Sequence, residues 1–294
     1  MTHSDNIRKL SHDEFPSSLY EIPEPPKELY IQGTLLSPSQ YYYLAVVGSR
    51  KFTSYGREAT ERIIAGLAGY PICIVSGLAL GIDGIAHRAA LDAGLPTVAV
   101  PGSGLSHTVL YPRAHVGLAR EIVESGGALL SEYESSLPAA PWTFPQRNRI
   151  MAGLCQAVLI IEAEEKSGTL ITARLALDYN RNVFAVPGSI FSAPSKGTNK
   201  LLRQGATPIT SAEDLLLELG FIEPRDTNPE TQKMLDLTLY TPEEQEILII
   251  LDKPRNREEI FSMTSLSPAQ ALTTLTVLEI KGVVRESKGK IEQI

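Results

Sequence analysis

Residues 44–50 read Leu-Ala-Val-Val-Gly-Ser-Arg, an apolar run that ends in a glycine, a hydroxyl and a guanidinium. A short valine-rich run of this kind is typical of a strand buried on both faces, and the glycine allows a tight turn after it. The pattern recurs along the chain, with helical stretches between the runs. The further runs lie at 72–75, 97–100, 128–130, 158–161 and 183–186, with a weak one near 208–209.

Seven buried strands that alternate with helices predict one parallel sheet with helices on both faces, because parallel strands need crossover connections. Residues 44–220 supply this unit. The predicted fold class is therefore α/β, a doubly wound parallel sheet.

The regions on either side of the sheet have different compositions. Residues 1–43 are rich in Pro, Ser and Glu without sustained periodicity, which predicts an extended leader with Leu29, Tyr30 and Ile31 available for packing. Residues 221–240 are predicted as a linker. Residues 241–294 carry helix caps at Thr241, Asn256 and Ser267, and then two short strands around Lys288-Gly289. Three helices and a hairpin predict a small C-terminal winged-helix-like domain.

Charge and cysteine content bound the function. The net charge is −7, which argues against a protein that binds nucleic acid by overall charge alone. Residues 44–220 hold 15 basic and 15 acidic side chains, so binding has to come from local cations. The N-terminus lacks an apolar signal segment, which predicts a cytoplasmic protein with no membrane partner. Cys73 and Cys155 lie in apolar segments and are predicted as buried thiols.

Small, hydroxylated and basic residues follow five of the predicted strands. The carboxyl ends of parallel strands meet at one edge, where open α/β sheets bind ligands. Glycine amides, hydroxyls and helix starts all suit phosphate, so we expect a polyanion to lie across this edge. Glycine at such turns also serves packing alone, and each single loop is open to that interpretation. The candidate residues are Gly48, Ser49, Arg50, Ser76, Gly77, Gly102, Ser103, Lys166, Ser167, Gly168, Thr169, Lys196, Asn199 and Lys200.

A second candidate segment reads Phe-Pro-Gln-Arg-Asn-Arg-Ile-Met-Ala at residues 144–152. Arg147 and Arg149 offer bidentate donors to phosphate, and Phe144 offers a ring on which a base could stack. Asn148 could contact the strand or fix the start of the helix. A solvated, charged helix start is the alternative interpretation of the segment.

Arrangements typical of catalysis are missing from the sequence. It contains neither a Gly-x-x-x-x-Gly-Lys-Ser/Thr loop nor a Gly-x-Gly-x-x-Gly after the first strand. His87, His107 and His115 lack metal-ligand spacing, and Asp83 is predicted to stabilise a helix start. We therefore expect binding without catalysis, with no metal and no cofactor.

The order of these blocks resembles the DNA-processing protein A family (DprA, also called Smf). The matching blocks are Val47–Arg50, residues 74–79 with 81–83 and 86–87, 111–112, 131–133, 144–150, 167–173, 185–188 and 197–202. The resemblance implies an extended Rossmann-like domain that binds single-stranded DNA in natural transformation. It implies protection of incoming strands, help in loading the recombinase RecA, a homodimer and no enzymatic turnover.

The resemblance also implies roles for individual residues. Gly48, Ser49, Arg50, Ser76 and Gly77 would line a phosphate pocket. Arg147, Arg149 and residues 166–169 would hold the strand, and Phe144 would stack on a base.

Three departures from the family pattern stand out. Pro141 replaces a lysine found in relatives, so one phosphate contact is expected to be weaker or to come from Lys166 or Lys196. Ser106 stands where relatives carry Asp, and residues 1–43 are not expected to form the helical N-terminal domain that many members have. The third C-terminal helix, residues 267–281, has a single cation at Lys281, which favours protein contact over reading of the major groove.

Two other function classes remain open. One is an enzyme like the nucleoside-monophosphate phosphoribohydrolases, whose Pro-Gly-Gly-x-Gly-Thr-x-x-Glu loop would place its glutamate at Thr172. The other is a module that binds a small nucleotide through the same loops.

Overall fold

Strand β3, Tyr42–Val47, is the middle of seven parallel strands and pairs with β4, Ile72–Ser76, on one side and β7, Ala157–Ile160, on the other. All seven predicted strands are confirmed. Among the described residues the sheet has nine strands, in the order β1-β2-β6-β5-β4-β3-β7-β8-β9. The remaining bounds are β1 Arg8–Lys9, β2 Tyr30–Gly33, β5 Thr97–Ala99, β6 Ala128–Ser131, β8 Asn182–Ala185 and β9 Thr207–Pro208.

The computed structural model describes residues 6–223, 240–251, 253–287 and 289–293. They belong to two compact units, within Met1–Glu223 and Pro224–Ile294. Most of the predicted linker, residues 221–240, lies outside the described residues. The first unit contains α1 Ser54–Ala65, α2 Ile82–Asp92, α3 Val116–Glu124, α4 Thr143–Leu154, α5 Gly168–Asp178, α6 Lys196–Arg203 and α7 Ala212–Glu218.

Helices cover both faces of the sheet, because successive side chains of a strand point to opposite sides. Leu44 and Val46 of β3 pack in a core with α1, α2 and α7. Tyr43, Ala45 and Val47 pack in another core with α4, α5 and α6. Helix α3 packs on β5 and β6. This two-faced burial explains the continuous apolar strands and confirms the doubly wound fold.

The predicted leader, residues 1–43, is part of the sheet rather than a segment outside it. Strand β2 pairs antiparallel with β6, and β1 pairs with β2. Leu19 and Leu29 are fully buried in the core on the α4 side. The predicted domain start at residue 44 was therefore too late. The prediction missed these strands because two- and four-residue segments are too short to show a period.

The described residues of the C-terminal unit form three helices and a hairpin, as the sequence predicts. Thr241, Asn256 and Ser267 cap their helices through capping boxes, and the core is formed by residues such as Ile247, Ile260 and Leu278. Strands β10 and β11 pair antiparallel. The bounds are α8 Pro242–Ile250, α9 Arg257–Met263, α10 Pro268–Ile280, β10 Val284–Ser287 and β11 Lys290–Gln293.

Two further observations concern the cysteines and the apolar character of the helices. Cys73 and Cys155 are both buried free thiols, as predicted. Among the described residues, no helix combines the length and the apolarity needed to cross a bilayer.

Leu29→Ala tests whether the leader stabilises the sheet domain. The substitution should lower the free energy of unfolding by about 2–5 kcal/mol, because it leaves a cavity in a packed core. Urea unfolding followed by the fluorescence of Trp142, the single tryptophan, reports on the first unit. Leu177→Ala, at a leucine that is 55% exposed, is the control and should change the value by less than about 0.5 kcal/mol. Equal effects of the two substitutions would contradict the packing described here.

Candidate functional site

A cleft opens at the carboxyl ends of β3 and β7, where the chain order of the strands reverses. The loop after β3 leads to α1 on one face, and the loop after β7 leads to α5 on the other. Diverging loops at such a switch point leave a crevice. The crevice has a volume of about 370 Å³. Its lining residues are Val47, Gly48, Ser49, Arg50, Lys51, Ala79, Asp83, Phe144, Pro145, Arg147, Asn148, Met151, Glu164, Lys166, Ser167, Gly168, Thr169, Ile171 and Thr172.

The two loops that form the rim are held by their own hydroxyl groups. Ser49 Oγ donates to the Lys51 carbonyl at 2.8 Å and accepts from the Lys51 amide at 3.0 Å. Thr169 Oγ1 donates to the Gly48 carbonyl at 3.1 Å, which ties one loop to the other. Ser167 caps α5 by accepting from the Thr169 amide at 3.1 Å. These three hydroxyls therefore set the shape of the rim, and the start of α5 directs its positive end at the cleft.

Three exposed cations line the cleft: Arg50, Lys51 and Lys166. None of them forms an ion pair with a described residue, so each charge is available to an anion. Glu164 also lines the cleft and is exposed. The rim is therefore positive in a chain whose total charge is negative.

Phe144 is half-buried at one side of the cleft. The guanidinium carbon of Arg50 lies 5.1 Å from its ring centroid, and the ring of Tyr111 lies 5.7 Å away. Gly102 leaves room for the ring, since a Cβ there would come within 2.6 Å of Phe144 Cδ1. Arg50 thus lies over one face of the ring that was predicted to stack on a base.

Arg147 forms the floor of the cleft. Its side chain is 4% exposed, its Nη1 donates to the Val100 carbonyl at 2.5 Å, and it packs directly on Gly77. A Cβ at Gly77 would fall 1.7 Å from Nη1. The guanidinium is therefore held inside the protein at the floor of the cleft, and the predicted contact of Arg147 with a strand stays a prediction.

Asp83 is the buried acid beside this guanidinium. It lies in the first turn of α2 and accepts from the Gly77 amide at 3.1 Å. Burial raises the pKa of Asp83 and lowers the pKa of Arg147, and the charge of each opposes the shift of the other. The amides of Ala79 and Gly48 also hold the pKa of Asp83 down. The predicted role of Asp83 at the start of the helix is confirmed. Asp83 also supplies a negative charge that stabilises the positive charge of Arg147.

Arg149 lies outside the cleft lining, on the other side of α4. It pairs with Glu132 and donates to the Glu24 carbonyl at 2.7 Å, so it ties α4 to the leader. Its predicted contact with a strand stays a prediction, and the guanidinium would have to reach the strand from this position. Desolvation raises the pKa of Glu132, and Arg149 opposes that shift. Asn148, between the two arginines, is 8% exposed and lines the cleft.

The ends of β4 and β5 contribute less to the cleft than predicted. Ser76 is fully buried and donates to the Val46 carbonyl at 2.6 Å, while the Gly77 amide is used by Asp83. Ser103 is fully buried and donates to the Gly104 carbonyl at 3.0 Å. Helix α4 and the loop before it cover the ends of β4 and β5. These residues, like Gly102, therefore stabilise the cleft from inside the protein and do not line it.

The predicted group on α6 lies at the end of β8, away from the cleft lining. Asn199 Oδ1 accepts from the Gly188 amide at 3.3 Å and its Nδ2 donates to the Gly188 carbonyl at 3.0 Å. Lys196 and Lys200 are exposed on either side of it. Asn199 is therefore a bracing residue for the loop after β8.

Two buried titratable groups outside the cleft lining, Glu162 and His87, are engaged within the protein. Glu162 accepts from Thr53 at both its amide, at 2.9 Å, and its hydroxyl, at 2.5 Å. Burial lowers the pKa of His87 to about 3, so the imidazole is neutral at pH 7. Among the described residues, no three His, Cys, Asp or Glu side chains lie together as a metal site requires.

Among the residues that sequence reasoning missed are Lys51, which lines the cleft, and Tyr111, which packs beside Phe144. Lys51 follows Arg50 directly. The pattern of strand ends and turns does not indicate towards which side of the loop the Lys51 side chain points. Tyr111 precedes Pro112 far from the strand ends, and only the fold brings it to Phe144. A search for aromatic residues next to proline in long loops would have selected it.

The chain has close relatives in sequence and in structure. The family model for DNA recombination-mediator protein A matches residues 6–220. Protein Smf of Escherichia coli (strain K12) is 39% identical over 236 residues, which cover 80% of this chain and 61% of that protein. The chain thus spans about three fifths of the length of this relative.

Two solved structures share the fold. DNA processing protein A from Streptococcus pneumoniae superposes with a TM-score of 0.67 at 40% identity, covering 72% of this chain and 74% of that one. A structure that addresses the single-stranded DNA binding mode of DNA processing protein A from Helicobacter pylori gives a TM-score of 0.67 at 31% identity, covering 75% and 99%. A match over residues 6–220, with the predicted blocks in order, identifies this chain as a member of the DNA recombination-mediator protein A family.

Proposed function

We propose that this protein binds single-stranded DNA in the cleft between β3 and β7 and acts as a recombination mediator without catalysis. The observation that carries the proposal is the exposed set of Arg50, Lys51 and Lys166 around a rim of hydroxyls and helix-start amides. Membership in the family and the subject of the Helicobacter pylori structure support the same ligand.

The aromatic side of the cleft favours a single strand over a duplex. Phe144 and Tyr111 lie next to the cations, and a base can reach a ring only when it is not paired. Cations bind the backbone of any sequence, so we expect little sequence preference. A base that stacks on Phe144 replaces the Arg50 guanidinium, which then becomes free to contact phosphate.

The buried carboxylates Asp83 and Glu162 are engaged within the protein, which favours binding over turnover. Asp83 is held by amides and by Arg147, and Glu162 is held by Thr53, so neither faces a ligand as a free base. The phosphoribohydrolase-like alternative needs a glutamate at position 172, where Thr172 lines the cleft and is buried. The family match gives this enzyme class no support.

The wider role follows from the family resemblance. We propose that the bound strand is protected and handed to RecA, that the protein forms a homodimer, and that it acts in the cytoplasm. For the C-terminal unit we propose protein contact, because the exposed residues Leu272, Val277 and Ile280 of α10 are apolar and the helix Pro268–Ile280 has no cation.

Lys166→Ala and Arg50→Ala test the cleft as the binding site. Each should weaken binding of a fluorescent oligothymidylate roughly 10-fold, since each removes a charge-assisted contact. Three phosphate contacts predict a slope of log affinity against log salt of about −2, and each variant should reduce it by about 0.7. Anisotropy titrations at several salt concentrations give both quantities.

Arg174→Ala is the matched control, because it removes an arginine that is largely exposed, on α5 but away from the cleft. It should bind like the wild type. A duplex bound as tightly as the single strand would contradict the proposal. Affinity that does not depend on oligonucleotide length would favour the small-nucleotide module instead.

Arg147→Met tests whether the floor of the cleft stabilises the fold while the rim binds DNA. Removing the guanidinium deprives the buried Val100 carbonyl of its donor and removes a positive charge that stabilises ionised Asp83, which should cost about 1–3 kcal/mol of unfolding free energy. Adding Asp83→Asn should recover part of that loss, whereas Lys166→Ala should leave stability unchanged. Urea unfolding followed by Trp142 fluorescence measures all three variants. A stable Arg147→Met protein that has merely lost DNA affinity would instead restore Arg147 as a direct strand contact.

Removal of residues 225–294 tests the role of the C-terminal unit. The remaining chain keeps every cleft residue, so its affinity for single-stranded DNA should match that of the full chain in the same anisotropy assay. A clear fall in affinity, with unchanged thermal stability of the first unit, would assign DNA contacts to the C-terminal unit.

A further inference from the structure

The loop between β8 and α6, residues 187–195, presents two apolar side chains to solvent. Phe191 is 92% exposed and Ile190 is 75% exposed, the highest value and the third highest among the large hydrophobic residues that are exposed in the described part of the chain. Adjacent apolar side chains held in water are unfavourable, and a contiguous pair at a functional edge indicates a binding surface.

This loop is fastened on three sides. Tyr55 of α1 donates its hydroxyl to the Pro187 carbonyl at 2.6 Å, and the Ala163 amide donates to the Pro194 carbonyl at 2.8 Å. Asn199 holds Gly188 by two hydrogen bonds. Within the loop the Phe191 amide donates to Ser189 Oγ at 3.3 Å. The phenyl ring therefore projects from a fixed support, and ordering it on binding costs little backbone entropy.

The charges nearby select the class of partner. Lys196 and Lys200 are exposed on α6 directly after the loop, and neither forms an ion pair with another described residue. Lysine is depleted in protein interfaces, whereas surfaces that bind single strands combine cations with aromatic rings. Glu164 and Glu165 lie on the neighbouring loop, and their carboxylates repel phosphate. The surface around Phe191 therefore favours a base stacked on its ring over contacts with several phosphates.

The loop is also continuous with the cleft. Strand β8 pairs with β7, and β7 pairs with β3, so the end of β8 lies two strand spacings from the end of β3. That separation is about 10 Å along the carboxyl edge of the sheet. A strand that leaves the cleft past Lys166 reaches Phe191 within a few nucleotides.

We propose that Phe191 is a second base-stacking site, separate from the cleft, which receives a nucleotide of the same strand with Lys196 and Lys200 as its cations. This inference rests on the proposed function of the cleft and extends its binding track towards β8. It predicts that the track has two separable parts, one filled by short oligonucleotides and the other reached only by longer ones.

Phe191→Ala should weaken binding of an oligothymidylate of about 16 nucleotides roughly 10-fold and leave one of about 4 nucleotides unchanged, because one stacked base is lost from the far part only. Phe191→Tyr should restore the affinity. Leu177→Ala is the control, since it removes an exposed apolar side chain at the far end of α5 and should change neither affinity.

A fluorescence readout reports the stack itself. In the double variant Trp142→Phe, Phe191→Trp the introduced indole is the sole tryptophan, and the longer oligonucleotide should quench it while the shorter one should not. Light scattering on Phe191→Ala, at the concentrations used for binding, records the oligomeric state.

Three results would overturn the proposal. Wild-type affinity of Phe191→Ala for the longer oligonucleotide, with Lys166→Ala still defective, would refute the second site and leave the cleft intact. Conversion to a smaller oligomer with equal losses for both oligonucleotides would make the loop a self-association surface. Failure of the wild type to bind either oligonucleotide would refute the cleft as well.

Discussion

The site depends on the contacts that the buried guanidinium of Arg147 makes. It comes from α4, donates to the end of β5 at Val100, and lies against Gly77 at the end of β4. Asp83 supplies the opposite charge from α2 and draws in the amides of the neighbouring turns. A charge removed from water is tolerated only where partners surround it, so this pair requires the strand ends and both helices to meet in one arrangement.

The cleft is consequently divided into a buried floor and an exposed rim. Buried hydroxyls and the Arg147–Asp83 pair hold the shape, while Arg50, Lys51 and Lys166 remain available above it. A chain with a net charge of −7 can therefore present a positive surface, because the cations of the rim are not neutralised by described acids. Binding by such a surface is local and depends on the salt concentration.

Sequence patterns predicted the sheet well and the directions of side chains poorly. The seven parallel strands are continuous apolar runs, which is a local signal, whereas β1 and β2 are too short to show one. Gly48, Arg50 and Lys166 were predicted correctly to lie at one edge, since parallel strand ends must meet there. Arg147 and Arg149 are two residues apart on a helix, so they point to different sides, and only the packing of α4 shows that neither faces open solvent. The sequence placed Phe144 near phosphate donors but carried no information on its cover by Arg50.

The antiparallel strand β2 closes the β6 edge of the sheet, and its pairing of Tyr30 with Ser131 has a consequence for biosynthesis. The two residues are about one hundred positions apart, so the amino-terminal strand emerges from the ribosome long before its partner does. Until β6 has been made, the apolar side of the leader has no surface to cover. Strand β2 therefore takes its place in the sheet only after β6 has been synthesised.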